Sequence, residues 1–343
     1  MNDITQPLDF SILLPVCHGG KFLHQCLCSL RDIDFPHDRF EVLVAGFKDD
    51  EESKNIVESE AGLAAYSVRY LAYPEMNRAG LLNQACSAAK GNTLAFADDD
   101  CVFFPDWLTK LEYALNHKNN IGVIGGEDCL IGDTSSFGLA LDHVLNSFLG
   151  TGGVRKGQGS RIGKYFPKLW NMAIPRDVAR SVALRNEKAY VHIFNESLNV
   201  HEDVDLVNRI ERSGKQVLYA PEVRIGHYRD TTFTSFFHRN MGMARACKDL
   251  GVHHIPHIML ASFVLSITVL AVLSWILPPL RNVLGIVTGT YVAVLLFSAF
   301  GGFRHTKRWS MFFMVPVLLA SLHIARGLEY LFPWNNKKAL EKS

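Results

Sequence analysis

The sequence has no marked excess of charge of either sign. Its 343 residues include 35 Lys and Arg and 34 Asp and Glu, which gives a formal net charge of +1. No stretch combines closely spaced basic residues with aromatic residues that could stack on bases. Proteins that bind nucleic acid usually carry such basic surfaces. We therefore expect no nucleic acid among the partners of this chain.

Cysteine is scarce, and its spacing is not that of a metal site. The seven cysteines include no CxxC pair of the kind that binds zinc or forms a redox dithiol. Their odd number also argues against a complete disulfide framework. We interpret them as reduced core residues of a cytosolic domain.

The N-terminal stretch from Met1 to Gln6 lacks both the basic start and the apolar core of a secretory signal. We therefore expect the polar part of the chain to stay in the cytosol. Long apolar runs occur only after residue 256, whereas the preceding sequence mixes charged and apolar residues as a soluble domain does. A domain boundary is predicted at about 251–256.

Three apolar segments follow this boundary, at 258–277, 283–300 and 311–332. Each approaches the roughly 20 residues that a membrane-spanning helix needs. The third contains His323, Arg326 and Glu329, which are costly in lipid unless they face other helices or lie near the interface. Either all three segments span the membrane, or the last is interfacial or re-entrant; we favour three spans.

The distribution of basic residues bears on the orientation in the membrane. Arg304, Lys307 and Arg308 favour a cytosolic loop after two spans, which agrees with a cytosolic catalytic domain. A third span would export the tail 336–343 against the charge bias. We expect an integral protein of a bacterial inner membrane with its catalytic domain in the cytosol.

The segment 231–255, just before the apolar region, has an amphipathic composition. Two interpretations stay open: a helix at the lipid surface with its rings towards the acyl chains, or ordinary packing against the sheet. The residues concerned are Phe233, Phe236, Phe237 and Met241, alternating with His238, Arg239 and Arg245.

Strand-like and helix-like patterns alternate through the polar part. Buried strands are predicted at 10–16, 40–45, 67–72, 93–97 and 121–125, with amphipathic helices between them. This rhythm predicts a doubly wound α/β domain whose ligands bind beyond the carboxyl ends of the strands. The Gly-rich segment 133–168 breaks the rhythm and predicts a mobile loop over the site.

Three carboxylates, Asp98, Asp99 and Asp100, follow the predicted strand that ends at 97. Adjacent carboxylates repel one another, and a bound divalent cation is their natural compensation. Such an ion could bridge phosphate oxygens and neutralise a leaving diphosphate. The alternative is a solvated acidic turn.

A second acidic cluster, Glu202 and Asp203, opens a segment in which apolar residues recur at helical spacing. One interpretation is that these acids complement the helix dipole. The other is that a carboxylate held here is the general base that deprotonates an acceptor hydroxyl.

Together these motifs resemble the family 2 glycosyltransferases over about 10–245. The resemblance rests on several unrelated motifs that agree in order and spacing. They are Pro15-Val16, Arg78-Ala79-Gly80 with Asn83, Ala97-Asp98-Asp99-Asp100-Cys101 with Pro105-Asp106-Trp107-Leu108, Asn171-Met172-Ala173, and His201-Glu202-Asp203-Val204-Asp205-Leu206.

The resemblance implies an α/β fold of the GT-A (Rossmann-like) type that binds a nucleotide sugar, followed by an α-helical transmembrane region. It also implies a nucleotide-diphosphate sugar donor, with UDP-sugars favoured, a Mg²⁺ or Mn²⁺ ion, and inversion at the anomeric carbon. The expected domains are a cytosolic GT-A domain over 1–230, the interfacial segment 231–255, a transmembrane region over 256–335 and a polar tail over 336–343.

Roles for individual residues follow from the same resemblance. Asp203 would be the base, with Glu202 assisting it. Asp100 would ligate the metal, and His227 would add a metal or diphosphate contact unless it is structural. Donor binding would fall to Pro15, Asp50, Arg78, Asp98 (at the nucleoside), Asp99 and Arg239.

One loop departs from the family pattern. After the second strand the family usually has an acidic pair followed by Gly-Ser, whereas this chain has Ala45-Gly46-Phe47-Lys48-Asp49-Asp50. The acids come a few residues late, so a nucleotide sugar is a firmer expectation than UDP itself.

We expect transfer of a single sugar to a lipid-linked or membrane-proximal acceptor, in contact with membrane lipid. The alternatives are a processive polysaccharide synthase and a non-catalytic protein that binds sugar nucleotides. A synthase usually has more spanning helices and a Gln-x-x-Arg-Trp motif, and the nearest match here, around His238-Arg239-Asn240-Met241-Gly242, lacks both Gln and Trp.

Overall fold

The computed structural model describes residues 8–17, 22–132, 135–152, 165–186, 190–198, 200–228, 231–249 and 255–331. The chain divides into two compact units. We call Met1–Ile131 with Phe166–Tyr228 the sheet unit, and Gly132–Tyr165 with Arg229–Ser343 the helical unit. The interfacial segment 231–255 and the Gly-rich segment up to residue 165 therefore group with the C-terminal helices.

The sheet unit contains a mixed eight-stranded sheet. Its strands are β1 Phe10–Pro15, β2 Phe40–Phe47, β3 Ser67–Tyr73, β4 Thr93–Phe96, β5 Cys101–Phe103, β6 Ile121–Leu130, β7 Met172–Pro175 and β10 Gln216–His227; β8 Arg185–Asn186 and β9 Val191–His192 form a separate hairpin. The order of the strands in the sheet is β3-β2-β1-β4-β7-β6-β10-β5. Strands β1 to β4 are parallel neighbours, β7 runs antiparallel to β4 and β6, and β5 runs antiparallel to β10.

Helices connect these strands and cover the sheet. They are α1 Leu23–Arg31, α2 Glu51–Ala61, α3 Arg78–Ala88, α4 Trp107–His117, α7 Arg176–Ser181 and α8 Glu202–Arg212. Strands β1 and β2 are buried along their whole length, as expected for near-continuous apolar runs in a sheet covered on both faces. The predicted α/β domain is confirmed, and all five predicted strands form.

The helical unit contains α5 Ser136–Asn146, α6 Phe148–Thr151, α9 Phe233–Asp249, α10 Ile255–Ile276, α11 Leu280–Thr306 and α12 Met311–Leu331. Its core joins α5 to α11 and α12 through Leu141, Val144, Leu295 and Val315. The prediction of a loop over 133–168 is wrong for 136–151, most of which form α5 and α6, whereas 165–168 have no regular secondary structure. The apolar positions of α5 bury against neighbouring helices, and this outweighs the effect of the glycines nearby. Residues 153–164 lie outside the described residues.

Three helices, α10, α11 and α12, are long and apolar enough to cross a membrane. This is consistent with a membrane protein. The polar residues of α12 are buried inside the helical unit. Arg326 donates from Nε to Asn240 Oδ1 at 2.9 Å and from Nη1 to the Gly150 carbonyl at 3.0 Å. His323 lies 2.8 Å from both the Tyr291 hydroxyl and the Leu149 carbonyl. They therefore face other helices, the condition under which such residues are tolerated in a spanning segment.

Helix α9 uses one face for packing against α12. Phe236 and Asn240 are buried, whereas Phe233 and Arg239 are exposed. The apolar ring of Phe236 thus belongs to the core of the helical unit. An interfacial role for the exposed face of α9 stays a prediction.

Candidate active site

The acidic turn follows β4 directly, at the carboxyl edge of the parallel strands. The backbone N–H of Cys101 donates to the Asp98 carbonyl at 3.2 Å and closes the turn. The N–H of Tyr228 donates to the Asp100 carbonyl at 2.9 Å, which ties the turn to the end of β10. Phe22 stacks on Tyr228 with ring centroids 4.3 Å apart. The turn is therefore held from two sides.

Asp100 and His227 face each other across this junction. Asp100 Oδ1 lies 3.0 Å from His227 Nε2, and the imidazole stacks on Trp170. The two groups are close but not aligned for a hydrogen bond, and Asp100 Oδ1 is buried without a hydrogen-bond partner. A buried carboxylate oxygen left unpaired 3.0 Å from an imidazole nitrogen suits a shared cation.

Cys101 is the third possible ligand near Asp100 and His227. The ligand atoms of all three residues lie within 4.8 Å of one another. Burial raises the pKa of the Cys101 thiol well above its usual range, and its Sγ donates to the Trp170 carbonyl at 3.6 Å. Only a thiolate is a good ligand. A carboxylate and an imidazole remain, and this pair fits Mn²⁺ or Mg²⁺ completed by phosphate oxygens.

Asp99 occupies the middle of the turn. Burial, together with the neighbouring carboxylates of Asp100 and Asp98, raises the pKa of Asp99 to about 7. Three ionised carboxylates are therefore unfavourable here without a compensating positive charge. This is the electrostatic condition that a divalent cation relieves.

The second acidic cluster begins α8, as the sequence predicts. His201 precedes the helix in the left-handed region with φ 66°, and this sharp turn starts the helix at Glu202. Glu202 and Asp203 are 5% and 8% exposed. Two carboxylates therefore lie side by side in the first helical turn, nearly removed from solvent.

The surroundings of Glu202 and Asp203 separate their protonation. Burial acts to raise the pKa of Asp203, but the Lys168 ammonium, 3.1 Å away, and His201 lower it overall. Burial raises the pKa of Glu202, with Arg78 opposing and Asp203 adding to the rise. Asp203 is the ionised member of the pair, which is the state a general base needs.

Arg78 connects the two clusters. Its position at the start of α3 is fixed by Asn77, whose side chain accepts from the Gly80 N–H at 3.0 Å. Arg78 Nη2 donates to Asp98 Oδ1, and Nε lies 3.8 Å from Glu202 Oε1. Burial lowers the pKa of Arg78, but Asp98 and Glu202 raise it overall, so the guanidinium stays charged.

The other predicted donor-binding residues have diverse surroundings. Pro15 ends β1 and is buried beside Ala45 of β2. Asp50 caps α2 by accepting from the Ser53 N–H at 3.0 Å, which explains its place in the loop without a donor. Arg239 is exposed on α9 of the helical unit, and the side chain of Arg245 lies outside the described residues. Donor binding by Pro15, Asp50 and Arg239 stays a prediction.

Sequence reasoning missed Lys168 and Trp170. Lys168 is 35 residues from Asp203 in the chain, and no local pattern marks it. Trp170 precedes the Asn171-Met172-Ala173 motif, and its stacking on His227 could have been suspected only from the resemblance of that motif to the family.

The mixed α/β sheet, with a partly buried acidic turn at the carboxyl edge of its parallel strands, matches the GT-A fold of glycosyltransferases. Residues 11–174 match the sequence profile of Glycosyl transferase family 2. This match supports a glycosyltransferase, and residues 11–174 resemble family 2, as the sequence motifs predict.

The chain is also similar to solved structures. The mannosyltransferase PcManGT from Pyrobaculum calidifontis, in complex with GDP-Man and Mn²⁺, is 14% identical with a TM-score of 0.66, over 96% of this chain and 90% of that one. S. aureus TarS 1-349 in complex with UDP-GlcNAc is 16% identical with a TM-score of 0.48, over 70% and 67%. At such identities the likeness to PcManGT shows the fold alone. No curated protein matches the chain.

Proposed function

We propose that this protein is a metal-dependent, inverting glycosyltransferase that moves one sugar from a nucleotide-diphosphate sugar to a lipid-linked or membrane-proximal acceptor. The observation that carries the proposal is the bridge of Arg78 between Asp98 of the acidic turn and Glu202 of the base motif. A donor-binding turn and an ionised, buried carboxylate are the two parts that direct displacement at an anomeric carbon requires.

Asp100 and His227 would hold the divalent ion. Bound there, the ion supplies positive charge to the diphosphate as it leaves. Asp100 Oδ1, which is buried without a hydrogen-bond partner and lies 3.0 Å from His227 Nε2, supports this role. PcManGT, which shares the fold, is described with Mn²⁺.

Asp203 would accept the proton of the acceptor hydroxyl. The acceptor oxygen forms its bond to the anomeric carbon from the face opposite the diphosphate, and the bond from that carbon to the diphosphate oxygen breaks. One displacement of this kind inverts the configuration. Burial raises the pKa of Glu202. Glu202 therefore assists the charged Asp203 and does not compete with it as a base.

Asp98, the first residue of the acidic turn, would contact the nucleoside. The family resemblance favours a UDP-sugar, whereas PcManGT is described with GDP-Man. The unusual sequence of 45–50 lies where the family reads the base. Both nucleotide classes therefore belong in the first screen.

The three apolar helices support an acceptor at the membrane. A lipid-linked acceptor would be held near the helical unit by its own chain, and the enzyme would then need no extensive binding site for a soluble acceptor. We propose that catalysis takes place on the cytosolic side, because Arg304 lies in the last turn of the second span and Lys307 and Arg308 follow it.

A donor screen tests this function. The purified full chain in lipid nanodiscs is given UDP- and GDP-sugars with a panel of lipid-linked acceptors, in Mg²⁺ or Mn²⁺, and nucleotide-diphosphate release is measured. We expect acceptor-dependent release with one donor and a product of inverted anomeric configuration by NMR. Retained configuration would contradict the mechanism, and a ladder of products would indicate processive synthesis instead.

A further inference from the structure

Lys168 and Asp203 form a close ion pair beside the acidic pair of α8. Lys168 Nζ lies 3.1 Å from Asp203 Oδ2. The other carboxylate oxygen, Oδ1, accepts the Val204 N–H at 2.8 Å. Both oxygens of the proposed base are therefore engaged, and the carboxylate has one defined orientation.

The backbone that carries Lys168 is anchored in the sheet. The Asn171 N–H donates to the Lys168 carbonyl at 2.9 Å. The Asn171 side chain donates to the carbonyls of Glu127 and Val223 and accepts from the Trp107 indole at 3.0 Å. The hydrogen bonds of Asn171 thus anchor the backbone that carries Lys168.

Gly126 makes this anchoring possible. A Cβ at that position would lie 1.7 Å from the Val223 carbonyl oxygen and 2.5 Å from Asn171 Nδ2. No side chain fits there without displacing the Asn171 amide. Glycine at position 126 therefore leaves the space in which the Asn171 side chain makes its hydrogen bonds.

Among the residues that the structure describes, four charged or titratable groups surround Asp203. Lys168 and His201 favour its ionised form, Glu202 disfavours it, and Arg78 lies near enough to interact with it. Arg78, however, contacts Asp98 and Glu202 directly. Lys168 is the cation whose ammonium contacts Asp203 itself.

We propose that Lys168 is a positioning residue that makes Asp203, rather than Glu202, the ionised member of the acidic pair, and that holds it in the orientation from which it takes the acceptor proton. This inference rests on the proposed function and deepens it. Two adjacent buried carboxylates share protons as a pair. The Lys168 ammonium lies 3.1 Å from Asp203, whereas Arg78 Nε lies 3.8 Å from Glu202, so the closer cation decides that Asp203 is the ionised member. Without Lys168, Asp203 shares a proton with Glu202, and this protonation takes place at a higher pH than in the wild type.

The test compares K168M with K168R in the full chain, using the pH profile of kcat/KM for acceptor. Removal of the cation raises the pH at which Asp203 takes up a proton, so on the acid side K168M should lose at least about tenfold more kcat/KM than K168R. K168R should keep the wild-type profile. K110M, which removes the Lys110–Asp106 ion pair on α4, is the matched control and should also keep it.

Two results would overturn the proposal. A K168M profile parallel to that of the wild type would mean that Lys168 has only a structural role. A higher KM for acceptor with an unchanged profile would mean that Lys168 binds the acceptor. Thermal unfolding of each variant identifies any that has lost its fold, and K168Q then replaces K168M.

A second readout does not depend on activity. Infrared difference spectra of chain labelled with ¹³C-Asp, each variant minus its D203N counterpart, report the ionisation of Asp203 against pH. We expect protonation at higher pH in K168M than in wild type or K168R. If the wild type released no nucleotide from any donor, the proposed function would fail, while these spectra would still confirm or refute the Lys168–Asp203 coupling.

Discussion

Arg78 contacts Asp98 with one nitrogen and approaches Glu202 with another, so a single guanidinium links two acidic motifs that are 104 residues apart in the sequence. Three carboxylates of the turn and two of α8 would otherwise crowd one region of the sheet unit. The guanidinium suits this task because it stays charged and presents several donors in a fixed fork.

Replacing Arg78 with lysine should therefore impair catalysis more than stability. R78K keeps the charge but cannot contact both acids, and we expect kcat/KM to fall at least about tenfold. Nucleotide-diphosphate release measures the effect. The matched control is R31K, which alters the two-pronged pair of Arg31 with Glu60 in the same unit. Equal losses in the two variants would argue against a role for Arg78 in the site.

The metal assignment predicts separable effects at Asp100 and His227. D100N should abolish high-affinity Mn²⁺ binding, and H227A should weaken it about 10-fold or more, because each removes one protein ligand. Electron paramagnetic resonance of free Mn²⁺ during titration of the chain measures binding without turnover. D106N, which changes an acid partly exposed beside Lys110, should bind as the wild type does. Normal binding by D100N would refute the assignment.

Asp99 predicts a pH dependence of stability in metal-free buffer. Its pKa of about 7 in the folded chain lies above the ordinary value of 3.8, so folding takes up protons and stability falls as pH rises between these values. D99N removes this penalty. At pH 8.5 it should raise the free energy of unfolding by about 1–3 kcal/mol, with little effect below pH 4. Thermal unfolding with chelator present at both pH values checks this, and an equal shift at both would contradict it.

The buried Arg326 predicts a stability effect in the helical unit. R326M removes donors to Asn240 and the Gly150 carbonyl, and leaving such groups buried without partners should cost about 3 kcal/mol. We expect a lower Tm in detergent. R304M, at an exposed position near the end of α11, is the control and should leave Tm unchanged. A Tm for R326M equal to that of R304M would show that these contacts do not stabilise the unit.

Much of the fold was predictable because the parallel strands carry continuous apolar runs. Strands β1 to β4 lie where those runs predict them. Strands β5 and β7 have three and four residues, too few to show a pattern. The sequence thus predicts the parallel half of the sheet well, and the antiparallel additions poorly.

Helix α5 was missed for another reason. Its apolar positions contact residues of α11 and α12, far away in the sequence, and the glycines that follow dominate the local composition. Tertiary packing decides this segment, and no window of the sequence contains that information.

The candidate active site also has parts that the sequence predicts and parts that it does not. The acidic turn and the α8 acids are contiguous in the sequence and were recognised as motifs. The contacts between them depend on Arg78 and Lys168, single residues whose partners are brought close only by the fold. Long-range ion pairs of this kind have no periodicity to read.

The role of Asp203 as base is the central claim, and D203N in the full chain tests it most directly. Asparagine keeps the shape of the side chain but cannot accept the acceptor proton. We expect kcat to fall by about 10²–10⁴-fold while donor affinity, measured by calorimetry in Mn²⁺, stays within about twofold of the wild type. D205N changes a neighbouring acid that pairs with Arg209 on the same helix and should retain turnover. A D203N variant that turned over like D205N would contradict the account.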